Sequence, residues 1–204
     1  MEKKALFFDI DGTLLSEVTG EVPASALKAL ERALENGHLT FINTGRTWCA
    51  LPAVFKRMPF SGYVCGCGTN IQFGDEVLLK RSIPVERGDE IVKVLRENQA
   101  DMILEGTEDC FVPERLSRFE RLEGTRRYFK QMGLGIERYA EHGGLEFDKF
   151  VFYTDEKSGR EAIFENLSRD MDLMDRRNGF YEAAPKGYSK GTGIAFILEH
   201  FGME

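Results

Sequence analysis

The sequence predicts an α/β protein: a parallel-sheet core with an α+β unit set within the chain. Three observations lead there. Short continuous apolar runs alternate with amphipathic segments from residue 5 to residue 65. That alternation breaks between about residues 82 and 183, where strands and helices follow without strict βαβ order. A helix-start signal and an apolar stripe then return near the end.

Ala5-Leu6-Phe7-Phe8 is an unbroken apolar run, the pattern of a strand buried in a parallel sheet. It leads into the polar loop Asp9-Ile10-Asp11-Gly12-Thr13. Pro23 suits a first helical position, and Ala26, Leu27, Leu30, Ala33 and Leu34 recur at helical spacing behind it. Gly37 supplies a left-handed stop. Leu39 to Ile42 reads as the second strand, and a helix is expected over roughly the dozen residues after Arg46. Tyr63 to Cys65 is the third strand, followed by a hairpin in which Gly74-Asp75 joins Ile71–Phe73 to Val77–Leu79.

The next hundred residues read as a helix from Arg87 to Glu97 and a strand pair from Met102 to Glu105 and from Cys110 to Pro113. A charged helical stretch is expected over Glu114–Gln131, then a strand Phe150–Tyr153 and a helix Gly159–Leu167. Short strands follow at Met171–Asp175 and Phe180–Ala183. Ser189 then reads as the N-cap of a last helix carrying Ile194, Ile197, Leu198 and Phe201.

Bulk properties narrow the function. With 42% hydrophobic and 30% charged residues the composition is that of a folded globular chain. No apolar run reaches the ~18 residues of a membrane span, and no secretory signal is expected at the N-terminus, so a cytoplasmic location is expected. A net charge of −7 without a basic stripe argues against a nucleic-acid partner. The four cysteines lack a disulfide framework, and Cys65-Gly66-Cys67 has no second Cys or His pair at zinc spacing.

The chemistry concentrates at the carboxyl ends of the strands, where open α/β sheets bind ligands. Asp9 and Asp11 stand two apart there, and a strand continued that far would point both to one side. Paired carboxylates need a cation, and Mg²⁺ takes hard oxygen ligands and bridges to phosphate. One carboxylate could then attack phosphorus while its neighbour moves the proton. Thr44-Gly45-Arg46 follows the second strand, where a hydroxyl and backbone N–H groups can hold phosphate. Lys190 opens the last helix, a position the helix dipole disfavours for a cation unless an anion lies nearby.

Phe8-Asp9-Ile10-Asp11-Gly12-Thr13-Leu14 resembles the first signature of the haloacid dehalogenase (HAD) superfamily. Thr44-Gly45-Arg46 resembles its second, and Pro185-Lys186-Gly187-Tyr188-Ser189-Lys190-Gly191 its third, in the form typical of the Cof-type sugar and small-metabolite phosphatases. Gly66-Cys67-Gly68-Thr69-Asn70-Ile71 loosely resembles a further segment of that branch. The resemblance implies a Rossmann-like core over 1–81 and 184–204, with an α+β cap over 82–183. It implies Asp9 as nucleophile and metal ligand, and Asp11 as general acid/base that also contributes its backbone carbonyl to Mg²⁺. Thr44, Gly45, Lys190 and Arg46 become contacts to the phosphate or its ester, and the substrate a small phosphorylated metabolite. Glu105 and Arg118 are candidates for selecting it.

A fourth, acidic motif of the family would come after the Lys190 helix, and the chain reaches Glu204 before it. The expectation is a truncated product. The metal would lose carboxylate ligands, the first strand would become an open edge able to pair with another copy, and the last helix would lack a sheet face to cover. Besides a phosphatase, a phosphomutase using the same nucleophile and a catalytically incomplete binding protein are consistent with these motifs.

Overall fold

Ala5–Phe8 forms strand β1, as its apolar run requires. Pro23 caps α1 (Ala24–Glu35) one position before the first helical residue, and Leu30 is the helix's buried side chain. β2 (Leu39–Asn43), α2 (Ala53–Arg57), β3 (Gly62–Cys65), β4 (Asn70–Phe73) and β5 (Glu76–Lys80) follow. These five strands make one sheet in the order β1-β2-β3-β4-β5. β1, β2 and β3 pair in parallel, β3 pairs antiparallel with β4, and the expected hairpin joins β4 antiparallel to β5. This computed structural model describes residues 2–16 and 18–203.

The chain divides into two units: Met1–Arg46, Leu51–Lys80 and Tyr188–Glu204 in the first, Thr47–Ala50 and Arg81–Gly187 in the second. Two expectations for the first unit need correction. The dozen-residue helix after Arg46 is reduced to the five residues of α2. Pro52 explains this, because it lacks an N–H and disfavours helical geometry at the residue before it. The last helix, α6 (Lys190–His200), does have a face to cover: Ile197 is fully buried in a cluster with Phe41, Val64 and Ile71. Phe201 just beyond it packs on Phe73, ring centroids 4.7 Å apart. β1 pairs with β2 alone among the described residues, and its side chains are half-buried.

The second unit is built on an antiparallel sheet in the order β7-β6-β8-β10-β9. Its elements are α3 (Val85–Glu97), β6 (Asp101–Glu105), β7 (Cys110–Phe111), α4 (Glu120–Gln131), β8 (Lys149–Tyr153), α5 (Arg160–Leu167), β9 (Met171–Asp175) and β10 (Phe180–Pro185). Period-two geometry sorts the side chains. Met102, Leu104, Phe150, Phe152 and Ala183 pack with Ile91 and Leu95 of α3 and Ile163 and Leu167 of α5. Ile103, Val151 and Tyr153 point the other way, to Leu122 and Phe129 of α4. The helix expected from Glu114 starts only at Glu120. Upstream of it the Ser117 amide donates to the Glu123 carboxylate and the Phe119 amide to the Ser117 hydroxyl, a local arrangement that competes with helix.

The face shared with α4 also carries charge. Lys149 lies opposite Glu105 in the register and diagonal to Glu182. All three are buried, and the Lys149 ammonium contacts both carboxylates, Glu105 at 3.7 Å and Glu182 more closely. Arg176 adds a second cation, 2.6 Å from Glu182.

Candidate active site

The strand conformation stops at Phe8, so the expected same-side extension of Asp9 and Asp11 does not occur. The chain turns instead: the amides of Thr13 and Leu15 donate to the Ile10 carbonyl, and Gly12 takes φ +73°. Ile10 and Leu14 are buried and anchor this turn. The Ile10 amide donates to Asp9 Oδ1 at 2.8 Å, which orients that carboxylate. Its other oxygen, Oδ2, lies 2.6 Å from Lys190 Nζ. The anion that the helix dipole demands near Lys190 is therefore Asp9.

Asp11 is gripped by Arg46, whose Nε and Nη2 donate to its two oxygens at 3.0 and 2.8 Å. This bidentate hydrogen bond, with the charges of Arg46 and Lys190, holds the Asp11 carboxyl below the usual carboxylate range against the opposing effect of burial. Thr44 is buried at the end of β2, its amide donating to the Val64 carbonyl. Its Oγ1 accepts from the Arg46 amide at 3.2 Å, leaving the hydroxyl proton to be donated. The Gly66 amide ties the Arg46 carbonyl, and the Cys67 amide ties that of Thr44. The structure thus joins Asp9 to Lys190 and Asp11 to Arg46, all within the first unit.

Residues 6–204 match the family model described as haloacid dehalogenase-like hydrolase. This chain is a haloacid dehalogenase-like hydrolase. The family drawn from three short motifs is borne out. The hydrolase is 22% identical over 201 residues to YkrA of Bacillus subtilis (strain 168), a protein named for a presumed phosphatase activity; the match covers 98% of this chain and 75% of that protein. Its fold matches the solved structure of the HAD subclass IIB sugar phosphatase BT4131 at a TM-score of 0.77, with 26% identity over 99% of this chain and 77% of the other. BT1666 from Bacteroides thetaiotaomicron, described among phosphatases of the same superfamily, matches at 0.79 with 25% identity over 100% and 74%.

Three residues that place Lys190 carry no chemical motif, and the sequence reading passed them over in that role. Asn43, buried, donates from Nδ2 to the Lys190 carbonyl at 3.2 Å, tying the end of β2 to the first turn of α6. Its Oδ1 is the buried side-chain polar atom with no partner among the described residues. Gly68 has φ +92°, and a Cβ there would stand 2.5 Å from the Ser189 carbonyl oxygen. A Cβ on Gly193 would stand 2.4 Å from Val64 Cγ1. The N-terminal turn of α6 is therefore seated against β3 at a distance only glycine permits. Ser189 holds the turn itself, its Oγ accepting from the Thr192 amide while its own amide donates to Thr192 Oγ1.

This seating predicts a packing effect. Gly193→Ala gains about 1 kcal/mol of helix propensity and loses roughly 1–3 kcal/mol to overpacking. Lifting α6 off β3 also draws Lys190 from Asp9, and under the function proposed below turnover falls by about tenfold or more. Val64→Ala in the same chain should restore the rate. Thermal unfolding and steady-state rates of the single and double variants check this.

The two specificity candidates in the second unit are both held in ion pairs there. Glu105 lies beside Lys149, and Arg118 donates to Asp155 and to the Gln99 carbonyl. Among the described residues no group of three or more His, Cys, Asp or Glu is arranged to hold a metal, and no helix is long and apolar enough to cross a membrane.

Proposed function

We propose that this hydrolase is a phosphomonoesterase that cleaves a small, sugar-phosphate-like metabolite through an aspartyl phosphate on Asp9. The observation that carries this reading is the Asp9–Lys190 contact: a carboxylate oriented by a backbone amide, with a cation 2.6 Å away. The descriptions of BT4131 as a sugar phosphatase and of BT1666 among phosphatases support the substrate class.

In this mechanism the Asp9 oxygen attacks phosphorus and the ester oxygen leaves with a proton from Asp11. Asp11 then takes a proton from the water that opens the acyl phosphate. Lys190, the Thr44 hydroxyl and the Gly45 amide hold the phosphoryl oxygens, while Arg46 contacts the ester. Asp9 through its carboxylate and Asp11 through its backbone carbonyl are also the residues that would hold Mg²⁺, since hard oxygen donors completed by waters are a set this ion accepts. When bound, Mg²⁺ neutralises charge on the phosphoryl group. The second unit is assigned to selecting the alcohol part of the substrate. The four cysteines form no disulfide, which fits a reducing, cytoplasmic setting.

Release of inorganic phosphate from a panel of sugar phosphates, with and without Mg²⁺, tests the reading. Magnesium-dependent release from a subset of the panel is expected. A phosphoryl group moved between positions on the sugar without release would make the protein a mutase instead.

The Arg46–Asp11 pair adds a pH prediction. Arg46 depresses the Asp11 pKa and so shortens the range in which Asp11 can donate a proton. Arg46→Met returns that pKa upward, so the decline of kcat on the alkaline side moves to higher pH. The shift should appear with alkyl phosphates and vanish with an aryl ester whose leaving group needs no proton. Because the pKa is lowered in the fold, the stability Asp11 contributes is present above its unfolded pKa. It fades as pH falls through the folded value, and it is small for a side chain this exposed.

A further inference from the structure

We propose that Cys49 and Cys110 form an oxidative modification site, a dithiol that a peroxide converts to a disulfide. Their sulfurs lie 3.5 Å apart, and both residues belong to the second unit. A disulfide requires about 2 Å, so the sulfurs must close by roughly 1.5 Å. The elements that hold them suit such a movement. Cys49 sits in a turn within Thr47–Ala50, and Cys110 opens β7, a two-residue strand at the edge of its sheet.

The two thiols are unequal in ways that assign their roles. Cys49 is half-buried and Cys110 fully buried, so a small oxidant meets Cys49 first. The hydrogen bond with Cys110 lowers the Cys49 pKa, reinforced by Thr47 and opposed by burial and by the carboxylates of Glu105 and Asp109. The same partnership and burial push the Cys110 thiol well up. Cys49 is therefore the thiol that ionises more readily to attack the oxidant, and Cys110 the reserve thiol. In the reduced protein Cys49 Sγ also donates to the Gly106 carbonyl at 3.1 Å, a bond given up on oxidation. Cys65 and Cys67, the pair adjacent in sequence, are both buried and shielded from the oxidant.

The chemistry balances with hydrogen peroxide as oxidant. The Cys49 thiolate attacks one peroxide oxygen, forming a sulfenic acid and releasing hydroxide. Cys110 sulfur then attacks the Cys49 sulfur, the S–S bond forms, and the sulfenic oxygen leaves as water with the Cys110 proton. Two thiols lose two electrons and the peroxide gains them.

The bond closes a loop between positions 61 residues apart, which restricts the unfolded chain and should raise the midpoint of thermal unfolding. A thiol-reducing agent reverses it.

The test treats the reduced full chain with one equivalent of hydrogen peroxide and then alkylates what remains. Titratable thiols should fall from the four present to two, and recover with dithiothreitol. Non-reducing peptide mapping should join the peptides containing Cys49 and Cys110. In Cys110→Ser, a sulfenic acid at Cys49 should be trapped by dimedone. In Cys49→Ser, Cys110 should stay reduced. Persistence of all four thiols, a Cys65–Cys67 bond, or over-oxidation of Cys49 beside an intact Cys110 would each overturn the proposal. These readouts are chemical and independent of phosphate release, so failure here leaves the phosphatase reading untouched.

Discussion

Replacing Asp9 by asparagine is expected to lower phosphate release by roughly 10⁴-fold or more while leaving the fold in place. On the proposed mechanism the change removes the nucleophile and with it the covalent route, and the corresponding barrier increase is about 5 kcal/mol. The structural cost is small for a definite reason. Asp9 and Lys190 are each more than a third exposed, and an ion pair this solvated contributes about 1 kcal/mol or less. The asparagine amide retains an oxygen for the Ile10 N–H. Thermal unfolding should therefore move by a few degrees at most. Lys190→Met should cost about 10²–10³-fold, because it removes charge stabilisation but leaves the nucleophile. An Asp9→Asn protein that keeps a tenth of the wild-type rate would remove Asp9 from the reaction and leave Asp11 as the carboxylate to test.

Lys149→Met is expected to be the most destabilising single change in the second unit, by about 3–5 kcal/mol. It leaves Glu105 and Glu182 buried on the sheet without their shared ammonium. For a chain of this length that corresponds to a fall of roughly 10 °C in the unfolding midpoint. Its pH dependence carries a sign that distinguishes charge from packing. Burial pushes the Glu182 pKa up, but the charge and hydrogen bond of Lys149, joined by Arg176, outweigh it and hold it at about 2. A carboxyl depressed in the fold stabilises above its unfolded pKa, and that contribution is lost as pH falls from about 5 through 2. Without Lys149 the burial effect has less to oppose it, so the Glu182 pKa rises. The variant's deficit relative to wild type should then shrink as pH falls below about 5. Denaturant unfolding of both proteins across that range measures this. A deficit constant with pH would mean that the lysine stem, rather than its charge, is what the site misses.

The residues proposed for the chemistry stand out in the sequence because each sits where local geometry makes it conspicuous. Asp9 and Asp11 follow an unbroken apolar strand, Thr44-Gly45-Arg46 follows another, and Lys190 stands one residue after a capping serine. The βαβ rhythm, the Gly74 hairpin and the second unit's alternating strands were legible for the same reason, since period and turn residues are local properties. Helix limits were less so. Pro52 shortened one helix and side-chain bonds around Ser117 delayed another.

What the sequence determined by itself was the family and the order of the elements, and it put forward the candidate side chains of the proposed chemistry. Tertiary structure alone decided their pairing. Lys190 answers Asp9 rather than Asp11, Arg46 grips Asp11, and Cys49 meets Cys110 instead of either nearer cysteine. Lys149 draws carboxylates from two neighbouring strands. Each of these pairs joins residues separated by 33 or more positions, or lying on different strands, and no local periodicity constrains such a meeting. It depends on sheet order and on how closely α6 can approach β3, a distance set by the absent side chain of Gly193.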